Sequence, residues 1–208
     1  MNVLAVGAHF DDIELGCSGT LINHKNHGDN VNLLVITKSG YNDPNGKVIR
    51  TDETAEKEGK QAADIIGANL FNLGFKTFEF SFDESVTKEI TKIIEKLSID
   101  LVYCPWIHDI HRDHQNAGKA AIMASRHVNK VLMFRPNYYD SYQSFNGNFY
   151  SNISKVFDKK INVIKAHKSE LERVRNSWID FFKRQNANDG QKIGVKYAEC
   201  FEIVRYLM

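Results

Sequence analysis

Short, continuous apolar runs punctuate this chain at VLAVGA (3–8), NVNLLVITKSG (30–40), NLFNLGF (69–75), DLVYCPW (100–106) and KVLMFRP (130–136). All five read as strands, and the first, second and fourth suit strands buried on both faces. Between them lie segments of helical composition or spacing, at 13–27, 52–66, 83–97 and 115–127. The third is the clearest: Val86, Ile90, Ile93, Ile94 and Leu97 recur on one helical face. Gly28 is a stop signal for the first helix, and Pro105 ends the fourth strand. Strands alternating with helices of about 10–15 residues mark parallel βαβ units. The pattern predicts an α/β protein with a doubly wound, mainly parallel sheet and helices on both faces.

The alternation stops after residue 136. Residues 137–152 are aromatic, polar and irregular, and 41–50 is dense in turn residues and reads as a loop. Residues 153–168 predict an amphipathic helix with Ile153, Val156, Phe157, Ile161 and Ile164 on one side, and 169–185 predict another. The closing VKYAECFEIVRYLM fits a strand or a helix equally well. No repeat, linker or low-complexity stretch divides the chain, so residues 1–208 are expected to form a single domain.

Composition narrows the function class. The chain is 42% hydrophobic and 25% charged with a formal net charge of +1, which argues against a basic nucleic-acid face and an acidic tail. No apolar run approaches the roughly 18 residues of a membrane span. MNVLAVGAHF lacks a basic region before its apolar run, so the expectation is a chain that starts at Met1 and works in the cytoplasm. Cys17, Cys104 and Cys200 are odd in number and far apart, which suits ordinary thiols rather than disulfides or a cysteine zinc finger.

The chemistry concentrates in two places. GAHFDDIELGCSGTL (7–21) sets His9, Asp11, Asp12 and Glu14 where the first strand ends. Crowded carboxylates repel unless a cation or a shared proton relieves them. CPWIHDIHRDHQNAG (104–118) follows the fourth strand and holds His108, Asp109, His111, Asp113 and His114. Imidazole and carboxylate are zinc-type ligands, although Asp113 alone also suits a helix N-cap. His24, His27, His127 and His167 stand singly and read as solvated or packed. In the common doubly wound order 3-2-1-4-5, the first and fourth strands are neighbours across the switch point where ligands bind. The two clusters should therefore converge in one crevice.

These residues resemble a known family. AHFDDIELGCSGTL is similar to the AHPDDE-type motif of the PIG-L/LmbE zinc-dependent N-deacetylases, and HRDH (111–114) resembles their HxDH motif. Order, spacing and length agree over nearly the whole chain. Phe10 replaces the usual proline, and Ile13 intervenes before Glu14. The resemblance implies a Rossmann-like fold and hydrolysis of an N-acyl group, mostly acetyl, on an amino sugar or sugar conjugate. It implies His9, Asp12 and His114 as metal ligands, Asp11 as general base, His111 as the histidine assisting the tetrahedral intermediate, and Asp113 as the carboxylate holding that imidazole. The metal is expected to be Zn2+, with Fe2+ as the alternative, and the partner a small N-acetylated sugar, with a homo-oligomer left open.

Around that centre the readings divide. Glu14 suits a helix cap or a ligand-orienting role. Arg50 suits a substrate contact or a solvated surface, and Tyr197 and Glu199 are candidate pocket residues. The aromatics between Tyr138 and Tyr150 suit a sugar platform or a packed loop. Phe10 is expected to narrow the metal mouth and favour short acyl groups. Three rivals are a dinucleotide-binding oxidoreductase, a metallophosphoesterase and a non-catalytic binding protein on the same fold. The first needs a GxGxxG turn that this chain lacks, the second usually needs more ligands, and the third should have lost Asp11 or a ligand.

Overall fold

The computed structural model describes residues 1–208. In chain order the strands are β1 (Asn2–Gly7), β2 (Asn30–Thr37), β3 (Tyr41–Asn42), β4 (Val48–Arg50), β5 (Asn69–Phe75), β6 (Leu101–Pro105), β7 (Lys130–Phe134), β8 (Phe149–Asn152) and β9 (Ala198–Tyr206). The helices are α1 (Asp12–Asn26), α2 (Asp52–Ile66), α3 (Glu84–Lys96), α4 (Arg112–Ala124), α5 (Phe157–Ile164), α6 (Lys168–Arg173) and α7 (Ser177–Lys192). Seven strands form one sheet in the order β5-β2-β1-β6-β7-β9-β8. The first five are parallel, and β9 runs antiparallel to both β7 and β8. The five apolar runs thus take the expected order 3-2-1-4-5.

Successive residues of a strand point to opposite faces, and β1 feeds both sides of the core in this way. Val3 and Ala5 join the side covered by α1, α2 and α5, while Leu4 and Val6 join the side covered by α3 and α4. All four are fully buried, which explains why β1 is apolar throughout rather than alternating.

Local chemistry fixes the helix ends. Thr51 caps α2 by accepting a hydrogen bond from the Thr54 amide, and Gly67 closes it in the left-handed conformation at φ 84°. Asp83 caps α3 through the Ser85 and Val86 amides. Helix α4 starts earlier than residue 115 because His111 caps it, its Nδ1 accepting from the Asp113 amide. The helix expected over 153–168 is shorter, and the one expected over 169–185 is split: Arg175 and Asn176 take φ of 50° and 59° and break α6 from α7. The 41–50 loop contains the β3–β4 hairpin. The untyped C-terminal segment is strand β9. No helix is long and apolar enough to cross a membrane.

Candidate active site

Strands β1 and β6 pair directly, Val3 opposite Leu101 and Ala5 opposite Tyr103. The loops leaving their carboxyl ends therefore rise side by side, and the two ionisable clusters meet there. A cavity of about 260 Å³ lies at the junction, lined by His9, Asp11, Asp12, His111 and His114 together with residues of the loops after β2, β5 and β7 and of α6.

The first cluster is set by the β1–α1 turn. The Asp12 carboxylate folds back onto the chain, its Oδ2 accepting from the amides of Ala8 and His9 at 2.8 and 2.9 Å. Asp11 sits at φ 148°, a strained value for a residue with a Cβ, and such strain concentrates at functional positions. Asp12 Oδ1 lies 3.0 Å from His114 Nε2, and Asp12 Oδ2 lies 3.7 Å from His9 Nδ1. Candidate donor atoms of His9, His111 and His114 fall within 4.8 Å of one another, as do those of His9, Asp11 and Asp12. Two imidazoles and a carboxylate at this spacing fit a divalent metal of the zinc type, whose bonds to such atoms run about 2.0–2.2 Å.

Without a cation, the carboxylates draw protons onto two of the imidazoles. Burial opposes a charge on His9 and His114, yet the surrounding carboxylates outweigh it. Asp12 and Asp113 hold His9 up at about 9, and Asp12 and Asp109 hold His114 up at about 10. Asp12 stays well below the usual carboxylate range despite its burial, because both imidazoles face it. Burial pushes Asp11 up to about 7 against the pull of Arg50. Burial, joined by the charges of His114 and His9, pushes His111 down to about 4. A neutral His111 whose Nδ1 accepts from the Asp113 amide carries its proton on Nε2, so that nitrogen is a hydrogen-bond donor.

Each outer carboxylate serves an imidazole, with one change of partner. Asp113 was expected to hold His111; instead its Oδ2 lies 3.1 Å from His9 Nε2, and only its backbone amide reaches His111. Asp109, which the sequence placed in the cluster without a role, lies 3.2 Å from His114 Nδ1. Asn137 Nδ2 donates to both Asp109 oxygens at 2.7 and 2.9 Å. Carboxylates behind ligating histidines fix the tautomer and ring orientation.

Other expectations change more. Arg50 borders the cavity, but its guanidinium is turned inward, donating to the Phe10 carbonyl, Asp11 Oδ2 and Glu58 Oε2 at 2.9–3.2 Å with His167 Nδ1 also at 3.2 Å. It grips the candidate base. Glu14 neither caps nor orients a ligand; it faces His167 Nε2 at 3.4 Å. Tyr197 lies outside the cavity, its ring stacked 3.7 Å from that of Phe157. Glu199 is buried in the core, accepting from the Gly19 and Thr20 amides, the Thr20 hydroxyl and the Lys160 ammonium. Phe10 does not narrow the mouth either; it packs against Gly59 of α2, where an added Cβ would meet its ring at 2.2 Å. Of the aromatics in 138–150, Tyr138 and Tyr139 line the cavity, while Phe145 packs on Trp106 and Phe149 on Phe201.

Comparisons with known proteins find relatives that span most of the chain. The family model described as PIG-L, GlcNAc-PI de-N-acetylase, matches residues 4–125. Diacetylchitobiose deacetylase of Thermococcus kodakarensis is 26% identical over 220 residues, covering 97% of this chain and 82% of that protein. The probable N-acetyl-alpha-D-glucosaminyl L-malate deacetylase 2 of Bacillus cereus is 29% identical over 188 residues, covering 83% and 85%. The crystal structure of a conserved protein from Thermus thermophilus superposes with a TM-score of 0.85 at 25% identity, covering 100% of this chain and 96% of that one.

Proposed function

The chain belongs to the PIG-L (GlcNAc-PI de-N-acetylase) family, and from that premise we propose that residues 1–208 form one metal-dependent deacetylase domain that hydrolyses an N-acetyl amide on a small amino sugar or sugar conjugate. Two relatives are named for deacetylation of such sugars. The observation that carries the reading is the meeting of His9 and His114 on the Asp12 carboxylate, with a second carboxylate, Asp11, beside them and held by Arg50.

His9, Asp12 and His114 would hold the metal, with zinc the ion that suits two imidazoles and a carboxylate. When bound, it would polarise the amide carbonyl and lower the pKa of water. Asp11, held by Arg50 and adjoining the donor set, accepts the proton of the attacking water and passes it to the leaving amine. The Nε2–H of His111 faces the developing oxyanion as a neutral donor, which needs no protonated imidazole. Asp113 and Asp109 keep His9 and His114 aligned.

The test is an acetate-release screen of the purified protein against N-acetylated sugars and sugar conjugates, with phosphate esters in parallel. Asp11→Asn should keep its metal and lose about 10²- to 10⁴-fold in rate, the usual loss for one acid–base group. Cleavage of phosphate esters without acetate release would overturn the reading. Near-parental activity in Asp11→Asn would place the base elsewhere.

A further inference from the structure

We propose that Phe78 is the platform on which the substrate's sugar ring stacks, an inference that rests on the amino-sugar deacetylase reading. Phe78 stands in the loop after β5 at φ 65°, a left-handed conformation that disfavours any residue with a Cβ and bulky ones most. Two contacts pin it there. Its amide donates to Asp113 Oδ2 at 2.8 Å, and its carbonyl accepts from the Arg112 guanidinium. A glycine would make both bonds without strain, so the backbone does not call for phenylalanine.

Nor does the core. The side chain is 41% exposed and belongs to none of the buried clusters. It lines the catalytic cavity instead, its ring centre 5.7 Å from that of His111, 6.3 Å from His9 and 5.8 Å from Tyr41. A flat, half-exposed apolar ring beside the candidate catalytic histidines matches the C–H face of a pyranose. Polar residues lining the same cavity, Asn137, Glu170 and Arg173, can meet its hydroxyls. Asp113 Oδ2 is shared between the Phe78 amide and His9 Nε2, so the platform and the first imidazole are fixed by one carboxylate.

Phe78→Gly, Phe78→Leu and Phe78→Tyr separate the roles. In Phe78→Gly the melting temperature should hold or rise, because strain is relieved. KM for an N-acetylated monosaccharide should increase by about tenfold, the scale of one aromatic contact, with kcat little changed. Phe78→Tyr should keep the parental KM and Phe78→Leu should not. Calorimetry with D-glucosamine reads the platform without turnover, and its Kd should rise in Phe78→Gly and Phe78→Leu. A parental KM and Kd in Phe78→Gly would overturn the inference, as would full restoration by leucine, which would mark an acyl wall. A parent that releases no acetate yet binds D-glucosamine through Phe78 would strike the deacetylase reading and leave the platform standing.

Discussion

Replacing Arg50 by methionine separates two roles that the sequence left open, because a substrate contact and a clamp on the base predict different pH profiles. Methionine keeps much of the apolar stem and removes the guanidinium, whose Nη1 lies 3.2 Å from Asp11 Oδ2 and whose Nη2 lies 3.1 Å from Glu58 Oε2. Asp11 already sits at about 7, burial raising it and Arg50 lowering it. An opposite charge at this range lowers a carboxyl pKa by about 1–3 units, so its loss should move Asp11 up by that order. Glu58, deprived of the same partner, adds to the direction. A general base works only when deprotonated, so activity must fall on the acid side: the acid limb of kcat/KM should move to higher pH by about 1–3 units. At pH 7 the variant should be slow, and alkaline buffer should restore much of its rate. The assay is acetate release across pH with parent and variant side by side. If Arg50 held substrate, KM would rise at every pH and the limb would stay in place; that result would refute the clamp.

Three further outcomes follow from the geometry. Asp109→Asn, which leaves His114 Nδ1 without its carboxylate, should weaken metal binding by about 10- to 100-fold, measured by competition with a chelator; parental affinity would deny Asp109 that role. Glu199→Gln strands the fully buried Lys160 ammonium and should cost about 3–5 kcal/mol in denaturant unfolding, whereas a loss under about 1 kcal/mol would show the pair is dispensable. In protein stripped of metal by a chelator, His9 and His114 are held at about 9 and about 10 against an ordinary value of 6.5. Their stabilisation is complete below pH 6.5 and is lost as pH rises through those values, so the melting temperature should fall across that window; one that rises there would contradict the assignment.

The parallel half of the fold was legible because burial on both faces leaves little room for polar residues in β1, β2, β6 and β7, Asn32 and Thr37 of β2 being buried exceptions, and each apolar run stands out against its neighbours. Helix α2 was read from its composition at 52–66, and its observed bounds, Asp52–Ile66, coincide with the caps at Thr51 and Gly67. The antiparallel edge was not. Strand β9 buries Glu199 against α1 and α5 and leaves Ile203 and Val204 exposed, the reverse of what hydropathy leads one to expect, so no period could type it. The break between α6 and α7 was hidden too, because Arg175 and Asn176 hold positive φ in a stretch whose composition remains helical.

At the site, the motifs identified the candidate metal-binding residues and the topology brought them together, but the partners of those residues came from elsewhere. Arg50 and Glu58 come from one segment and His167 from another more than a hundred residues on, and they join around the Arg50 guanidinium that holds Asp11. One signal did exist. Glu58 falls on the same helical stripe as Ala55, Ala62 and Ile66, and Lys160 falls on the stripe of Phe157, Val163 and Ile164. A charged residue in a core register cannot be left alone, since an unpaired buried charge costs several kcal/mol. Each therefore predicts an opposite charge or a set of donors from another segment. Glu58 meets Arg50 and the Ser169 amide, and Lys160 meets Glu199 and the Leu15 carbonyl. The first pairing holds α2 and the start of α6 against the turn at Phe10 and Asp11 through Arg50, and the second ties α5 and β9 to helix α1, so the charges that look misplaced in the sequence brace the turn and the helix it opens.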